Sequence, residues 1–377
     1  MTHRRLLRKR VLNTGPLLCL AAMVGCTAPE SPTTGGSVWN EVRPEVAQHF
    51  TVLRNGSMRR LLVFADPEHR DTISDLTVGP GDRTVQRLVV LSTTHLPYIS
   101  TLGCTDRIVG AAYLDHVRDV EMKKRMASGE VKPISTADGA DREAIIALSP
   151  DLVLGYPFGR TSGEKEIAGV PLALVAEYLE ADPLGRAEWL TFFGALLGKE
   201  READSIYAGI ADRYAKAKPT AGNGKRPKVL FGSHWNGQWW VPPGDSYMAQ
   251  LITDAGGDYV FSDLKGKENI AVDLETILSR ASNADAWGMI AEIPSTPSVQ
   301  DFTGGDERLV GLKAVREQFL FLGNTARSDL FGQALVEPDV VVKELRDIFG
   351  TTPQVTDGNP ASGRYFGTLG ASAPMDQ

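Results

Sequence analysis

Between residues 86 and 348 the apolar and polar positions of the chain run twice through one pattern. It consists of a short apolar strand, a helix closing on glycine, a second strand, a further helix, and an aspartate leading into another strand. In the first copy Arg87-Leu-Val-Val-Leu-Ser92 is followed by the helical stretch Thr93–Gly103 and by Arg107-Ile-Val-Gly110. Glu143-Ala-Ile-Ile-Ala-Leu-Ser-Pro-Asp151 then runs into Leu152-Val-Leu154. The second copy opens with Lys228-Val-Leu-Phe-Gly232, continues through Tyr247–Gly257 and Tyr259-Val-Phe261, and passes from Glu275–Asp285 into Ala286-Trp-Gly-Met-Ile-Ala291. Strands alternating with helices predict an α/β fold, and the duplication predicts two similar Rossmann-like lobes, 86–183 and 226–350, with a ligand cleft between them.

One helical stretch joins the copies. Asp182-Pro183-Leu184 supplies an N-terminal cap with an early proline. From Leu184 to Lys218, apolar residues from Trp189 through Phe192, Phe193, Leu196 and Leu197 to Ile206, Ile210 and Tyr214 recur at helical steps. This predicts one long interdomain helix over 184–218. Gly194, Gly198 and Gly209 weaken it, unless close packing requires them. Pro219–Pro227 reads as a loop. Ahead of the repeats, residues 37–85 predict a small β element, with Asn55-Gly56 as a hairpin signal between Phe50–Leu53 and Arg60–Phe64. Residues 351–377 read as a flexible tail.

The amino terminus speaks to location. Arg4, Arg5, Arg8, Lys9 and Arg10 form a positive region without an acid, and Val11–Val24 is an apolar core too short to span a bilayer. It ends in Met23-Val-Gly-Cys26, which resembles the lipobox of bacterial lipoproteins, with Met23 where leucine is usual. The resemblance implies a signal peptide over 1–25 and lipid on Cys26. Residues 26–36, rich in Thr, Pro, Ser and Gly, would form a flexible tether, so membrane contact is an anchor and not a span. Removing residues 1–25 takes away those five basic residues and no acid, so the formal charge moves from −7 to −12. Such a chain is a poor partner for nucleic acid. Cys104 is then the one remaining thiol, which excludes a disulfide framework within a monomer. The length suffices for the cores of two domains.

Several stretches, in this order, carry a resemblance to a known family: Val89–His95, Leu102-Gly103, Arg107-Ile-Val-Gly110, Ser149–Leu154, Pro183–Trp189, Gly194–Lys199, Asp254-Ala-Gly-Gly257, Asp273-Leu-Glu275 and Glu337–Lys343. Over about 260 residues the layout resembles the iron-chelate and cobalamin class of ABC-transporter substrate-binding proteins. The resemblance implies a class III periplasmic binding protein fold, a ferric siderophore or cobalamin as ligand, and an ABC permease with its ATPase as partners. It also implies a lipid-anchored monomer in the cell envelope, with one glutamate on each lobe docking on permease arginines. By position these are Glu275 and Glu164, with Glu166 as the alternative to the latter.

Ligands of open α/β sheets sit beyond the carboxyl ends of the strands. That rule places Thr93, Thr94, His95, Tyr113, Tyr156, Arg160 and Tyr178 on the first wall and Trp235 on the second. Trp239 and Trp240 add flat, polarisable surface, and alternation along a strand would bury one of the two. Arg160 would pair with an anionic group of the ligand. The histidines show no His-x-x-His pair, so no metal site is expected. A haem receptor of the same fold, with His95, Tyr98 or Tyr178 as axial ligand, is the alternative ligand reading. Enzyme motifs are missing: Gly159-Arg-Thr-Ser-Gly163 puts threonine where a nucleophile elbow needs serine, and there is neither a P-loop nor a dinucleotide fingerprint. No catalytic residue and no cofactor is expected. A sensor or structural lipoprotein on the same fold is the competing class, and a hydrolase stands last.

Overall fold

The computed structural model describes residues 38–136, 139–157, 166–219, 226–235, 238–266, 268–350 and 363–369. The expected signal peptide, tether, Cys26, Arg160 and Glu164 lie outside these residues.

Each lobe is built on a mainly parallel sheet. In the first, Leu88–Val90 lies between Ile108–Ala111 and Leu152–Gly155, and Val170–Leu174 follows beyond the latter. In the second, Lys228–Phe231 lies between Asp258–Tyr259 and Ala286–Ala291, with Leu320–Asn324 next. Counted in chain order within a lobe, these four strands stand in the same order, 2-1-3-4, in both. Leu88–Val90 and Leu152–Gly155 are buried throughout, as expected of strands covered on both faces.

The repeated sequence signals have repeated structural causes. The helices Leu96–Thr101 and Tyr247–Asp254 both close in a Schellman turn, with Gly103 and Gly256 at φ +67° and +91°. The sealing bonds run from Cys104 N–H to the Ile99 carbonyl (3.0 Å) and from Gly257 N–H to the Ile252 carbonyl (2.8 Å). The aspartate before the third strand holds the start of the first. Asp151 Oδ2 accepts the N–H groups of Gln86 and Arg87 at 2.8 and 2.9 Å, and Asp285 Oδ2 accepts that of Lys228 at 2.8 Å.

The stretch predicted as one connecting helix is divided. An inner helix, Pro183–Leu197, ends at Gly198 with φ +70°, and a linking helix, Glu200–Ala217, begins two residues later. Gly198 adopts the left-handed conformation at little cost, so the chain turns and the second helix packs back on the first. Gly194 makes the close approach possible: a Cβ there would lie 2.5 Å from the Ala203 Cβ. The inner helix is buried almost all round, which suits a core element better than a surface strut. The linking helix meets the closing helix Pro338–Gly350 of the second lobe, where Arg213 Nε donates to Asp339 Oδ2 at 2.6 Å and Arg346 Nη1 to the Ala217 carbonyl at 2.8 Å.

Residues 40–78 form a four-stranded antiparallel meander. Its hairpin at Asn55–Met58 has Gly56 at φ +56° in the first loop position, where a two-residue turn of type II′ needs a positive φ. Two buried carboxylates join the meander to the inner helix. Glu188 accepts the N–H groups of Glu45, Val46 and Ala47 at 2.6–2.8 Å. Glu180 accepts those of Gln48 and His49 at 3.0 Å and the Trp189 indole N–H at 3.1 Å. Burial raises the pKa of both carboxyls against the opposing pull of these donors.

The flexible tail expected over 351–377 is corrected at 363–369. Phe366–Thr368 pairs antiparallel with Leu320–Asn324 and extends the second sheet. The cause is burial: Tyr365 and Phe366 enter the core of that lobe, and polar composition elsewhere in the tail hid this short apolar pair. The described residues from Trp39 onward form one compact unit, and no helix among them is long and apolar enough to cross a membrane.

Candidate functional site

Loops beyond the strand ends of both lobes enclose a cleft of about 530 Å³. Thr93, Leu96, Pro97, Ser100 and His116–Glu121 with Lys124 form the first-lobe wall; Asp329, Gln333 and Arg364 form the other. The short strand Ile108–Ala111 delivers the segment around Arg118, and Leu320–Asn324 delivers that around Asp329.

Charge is distributed unevenly within this cleft. Asp119 Oδ1 caps the helix Val120–Ala127 by accepting the Met122 N–H at 2.8 Å. Asp329 Oδ2 accepts the Gln333 N–H at 2.8 Å, and burial raises its carboxyl pKa. Arg364 Nη1 donates to Glu337 Oε2 at 2.8 Å. Arg118 reaches across from the first lobe, its Nη2 donating to the Thr325 carbonyl at 3.1 Å, and its charge pulls the Asp329 carboxyl down against the effect of burial. The arrangement can hold a polar ligand by hydrogen bonds from both lobes.

Of the residues predicted for the site, one lines the cleft and three tyrosines keep exposed surface. Thr93 lines the cleft. Tyr113 is 49% exposed with a left-handed φ of +54°, an uncommon conformation for a tyrosine. Tyr156 and Tyr178 are half-buried, and burial pushes the Tyr178 hydroxyl up to about 12. Thr94 is turned downward, its Oγ1 donating to Glu177 Oε1 at 2.5 Å.

His95 is corrected from the cleft wall to the interior. It has no exposed surface, packs 6.3 Å from the Phe193 ring, and its Nε2 lies 3.7 Å from Glu177 Oε2. Burial lowers its pKa, so the imidazole is neutral near pH 7. A residue beginning a helix after a strand is as well placed to turn under the helix as over it, and the sequence does not distinguish the two.

Trp239 is corrected in the same way. It and Trp240 lie on Gln238–Val241, the central strand of a three-stranded antiparallel sheet, so they point to opposite faces. Trp239 is 3% exposed and packs on Trp287, whereas Trp240 is half-buried on the other face with its indole nitrogen unpartnered. Trp235 is 65% exposed on that same face, opposite Gln238. Glu275 is exposed in the first turn of Leu274–Ala281, and Glu166 is exposed on Glu166–Ile167.

Arg118, Asp329, Gln333 and Arg364 were not singled out from sequence. The strand-end rule, applied also to Leu320–Asn324, would have reached Asp329 and Gln333; nothing in the sequence marks Arg364.

The profile of the periplasmic binding protein family matches residues 88–324. An uncharacterized lipoprotein of Methanocaldococcus jannaschii is 28% identical over 278 residues, covering 70% of this chain; the chain spans 64% of that relative's length. The fold is similar to the crystal structure of an ABC-type Fe3+-hydroxamate transport system from Saccharomonospora viridis (TM-score 0.55, 19% identity, 74% of this chain and 96% of that one). It is also similar to the S. aureus protein IsdE in complex with haem (TM-score 0.55, 19% identity, 70% and 99%). With more than half of the chain matched, and two like-ordered lobes around a cleft, the protein belongs to the periplasmic binding protein family and is a binding protein rather than an enzyme.

Proposed function

We propose that this protein captures a ferric chelate, such as a ferric siderophore, between its lobes and delivers it to the permease of an ABC importer. Lipid on Cys26 would hold it at a membrane, a reading supported by the lipobox-like Met23-Val-Gly-Cys26 and by the lipoprotein relative. The observation that carries the proposal is the interlobe cleft itself. Its volume of about 530 Å³ suits a small molecule, and its walls are polar and charged. An oxygen-rich metal chelate presents acceptors to such walls.

Haem is less well served. Two of its three axial candidates, His95 and Tyr98, have no exposed surface, and the Tyr98 hydroxyl donates to the Arg186 carbonyl at 2.9 Å. Delivery needs no chemistry. The two-helix connection packs on both lobes, which favours a small closure over a wide swing. Glu275 and Glu164 serve as docking acids toward permease arginines.

Titrating the tryptophan emission of the mature protein with a ferric trihydroxamate, a ferric tris-catecholate, cobalamin and haem tests the proposal. Saturable quenching by at least one ferric chelate at micromolar concentration or below is expected. A response to cobalamin or haem alone overturns the ferric-chelate assignment, and no response to any of them moves the protein to the sensor or structural class.

A further inference from the structure

We propose that Glu177 is a positioning residue for the first-lobe wall of the cleft, its carboxylate held by Thr94 on one side and faced by His95 on the other. A proton on His95 draws that carboxylate off Thr94, loosens the wall and weakens the bound ligand. This rests on the capture of a ligand between the lobes and adds acid-driven release to it.

The three residues form a buried polar cluster behind the wall. Thr93 lines the cleft, and the next residue, Thr94, turns its hydroxyl inward to Glu177 Oε1 at 2.5 Å. Ser92 Oγ lies 2.8 Å from that hydroxyl and accepts the Thr94 N–H at 3.3 Å, which fixes the turn. Glu177 is 2% exposed and His95 not at all. Glu177 Oε2 and both ring nitrogens of His95 are shut off from solvent with no hydrogen-bond partner among the described residues. Buried polar groups without partners are destabilising and rare, and here three atoms are left so in one place. The same carboxylate reaches the interlobe connection. Glu177 opens the turn Glu177–Leu179 ahead of the inner helix, and Arg186 of that helix donates to the Tyr178 and Glu180 carbonyls at 2.7 and 3.2 Å. The Thr94–Glu177 bond is thus a polar link from the cleft wall to the connection.

His95 supplies the switch. Its Nε2 lies 3.7 Å from Glu177 Oε2, about 1 Å beyond the length of a charge-assisted hydrogen bond. A proton taken from solvent makes the ring a cation with two donors, and the carboxylate closes that gap by leaving Thr94. Burial keeps the ring neutral near pH 7, so the change falls below pH 6.5. The neighbouring groups leave the carboxylate to these two residues. Tyr98, Tyr178 and Tyr247, on the elements around the pair, are held neutral by burial. Arg186 is engaged with the two carbonyls and lies over the Tyr247 ring at 4.3 Å. Glu180 is engaged with the N–H groups of Gln48, His49 and Trp189. The second-lobe turn Gln333–Val336, packed on the same core, carries no charged side chain. By reciprocity, a ligand on the wall opposes proton uptake at His95.

The test is an NMR titration of the histidine rings of the mature full-length protein from pH 7.5 to 5, with His95 assigned from a His95→Gln variant. Fluorescence titration with a neutral ferric trihydroxamate at the two ends of that range accompanies it. Thr94→Val frees the carboxylate, so the His95 midpoint should rise by about one pH unit; Glu177→Gln removes the charge, so the midpoint should fall. Wild type should lose about fivefold or more in chelate affinity from pH 7.5 to 5. His95→Gln should bind within about twofold at both, Thr94→Val should bind weakly at both, and Thr94→Ser should restore the wild-type response. A role in packing alone would lower affinity at both pH values and leave the response in place. Unchanged thermal unfolding at pH 7.5 certifies Thr94→Val and Glu177→Gln. If neither variant moves the His95 midpoint, if wild type binds alike at both pH values, or if His95→Gln keeps the wild-type response, the inference is wrong while the ferric-chelate reading stands. Failure of the chelate to bind at pH 7.5 counts against that reading instead, and the ring titration still decides the switch.

Discussion

Trp239 and Trp287 pack 5.4 Å apart, their ring planes at 41°, inside the second lobe. Trp287 donates its indole N–H to the Gly232 carbonyl at 3.1 Å, so the pair ties the three-stranded sheet to the main sheet. The indole of Trp240 points the other way. Trp239→Ala should therefore cost about 3–5 kcal/mol of stability, as large-to-small core changes do. Trp240→Ala, on the half-buried face, should cost less than half of that. Urea denaturation of both variants separates the roles. Equal destabilisation by the two would deny that the strand turns one indole into the core and the other out of it.

The approach of Gly194 to Ala203 gives a second prediction. Glycine to alanine inside a helix normally stabilises by about 1 kcal/mol. Here the new methyl would meet the Ala203 Cβ at 2.5 Å and the Lys199 carbonyl at 3.2 Å. Gly194→Ala should destabilise by about 1–3 kcal/mol, the usual cost of overpacking, and Ala203→Gly should relieve part of it. A stabilised Gly194→Ala protein would contradict the packing of the two helices.

Acid should reveal His95. Its pKa in the folded state is depressed by burial below the ordinary 6.5, so it contributes stability above pH 6.5 that is lost as pH falls from there toward the folded value. Between pH 7.5 and 5.5 the wild type should lose up to about 1.4 kcal/mol that a His95→Leu variant keeps. Guanidinium unfolding of both proteins across that range checks the sign. Parallel curves would mean that the imidazole is reached by solvent.

Glu275 is exposed and remote from Arg118 in the chain, and the proposed delivery step assigns it to docking. Glu275→Ala should reduce uptake of radiolabelled ferric chelate in cells while leaving solution affinity within about twofold, since rim charges mainly set encounter rate and register. Normal uptake at normal protein abundance, with Glu164 also replaced by alanine, would remove the docking role.

The periodic elements were legible in the sequence because the signals were local. A Schellman glycine and an aspartate before a strand act through bonds spanning a few residues or one sheet neighbour, and both recur in the second lobe. What the sequence concealed depended on tertiary packing. Gly198 looked like a tolerated weakness in a long helix and proved to be its end, because Gly194 and Ala203 reward a turn there. Phe366 looked like part of a polar tail, yet the sheet edge at Leu320–Asn324 and the carboxylate of Glu344 give it a place.

The strand-end rule points to Thr93, which lines the cleft, but not to most of the rest of the lining, and strand alternation alone leaves open which of Trp239 and Trp240 turns inward. Arg364 stands more than two hundred residues from Arg118 in sequence, and only the strand pairing of the tail brings it to the same cavity.

The most direct measurement is the position of iron in crystals of the protein grown with the ferric chelate it binds most tightly, located by anomalous scattering. The account predicts a single iron site in the cleft lined by Thr93, Arg118, Asp329 and Gln333. Iron found elsewhere, such as in the cavity of about 460 Å³ lined by His234, Asp273 and Asp306 on the second lobe, would contradict it.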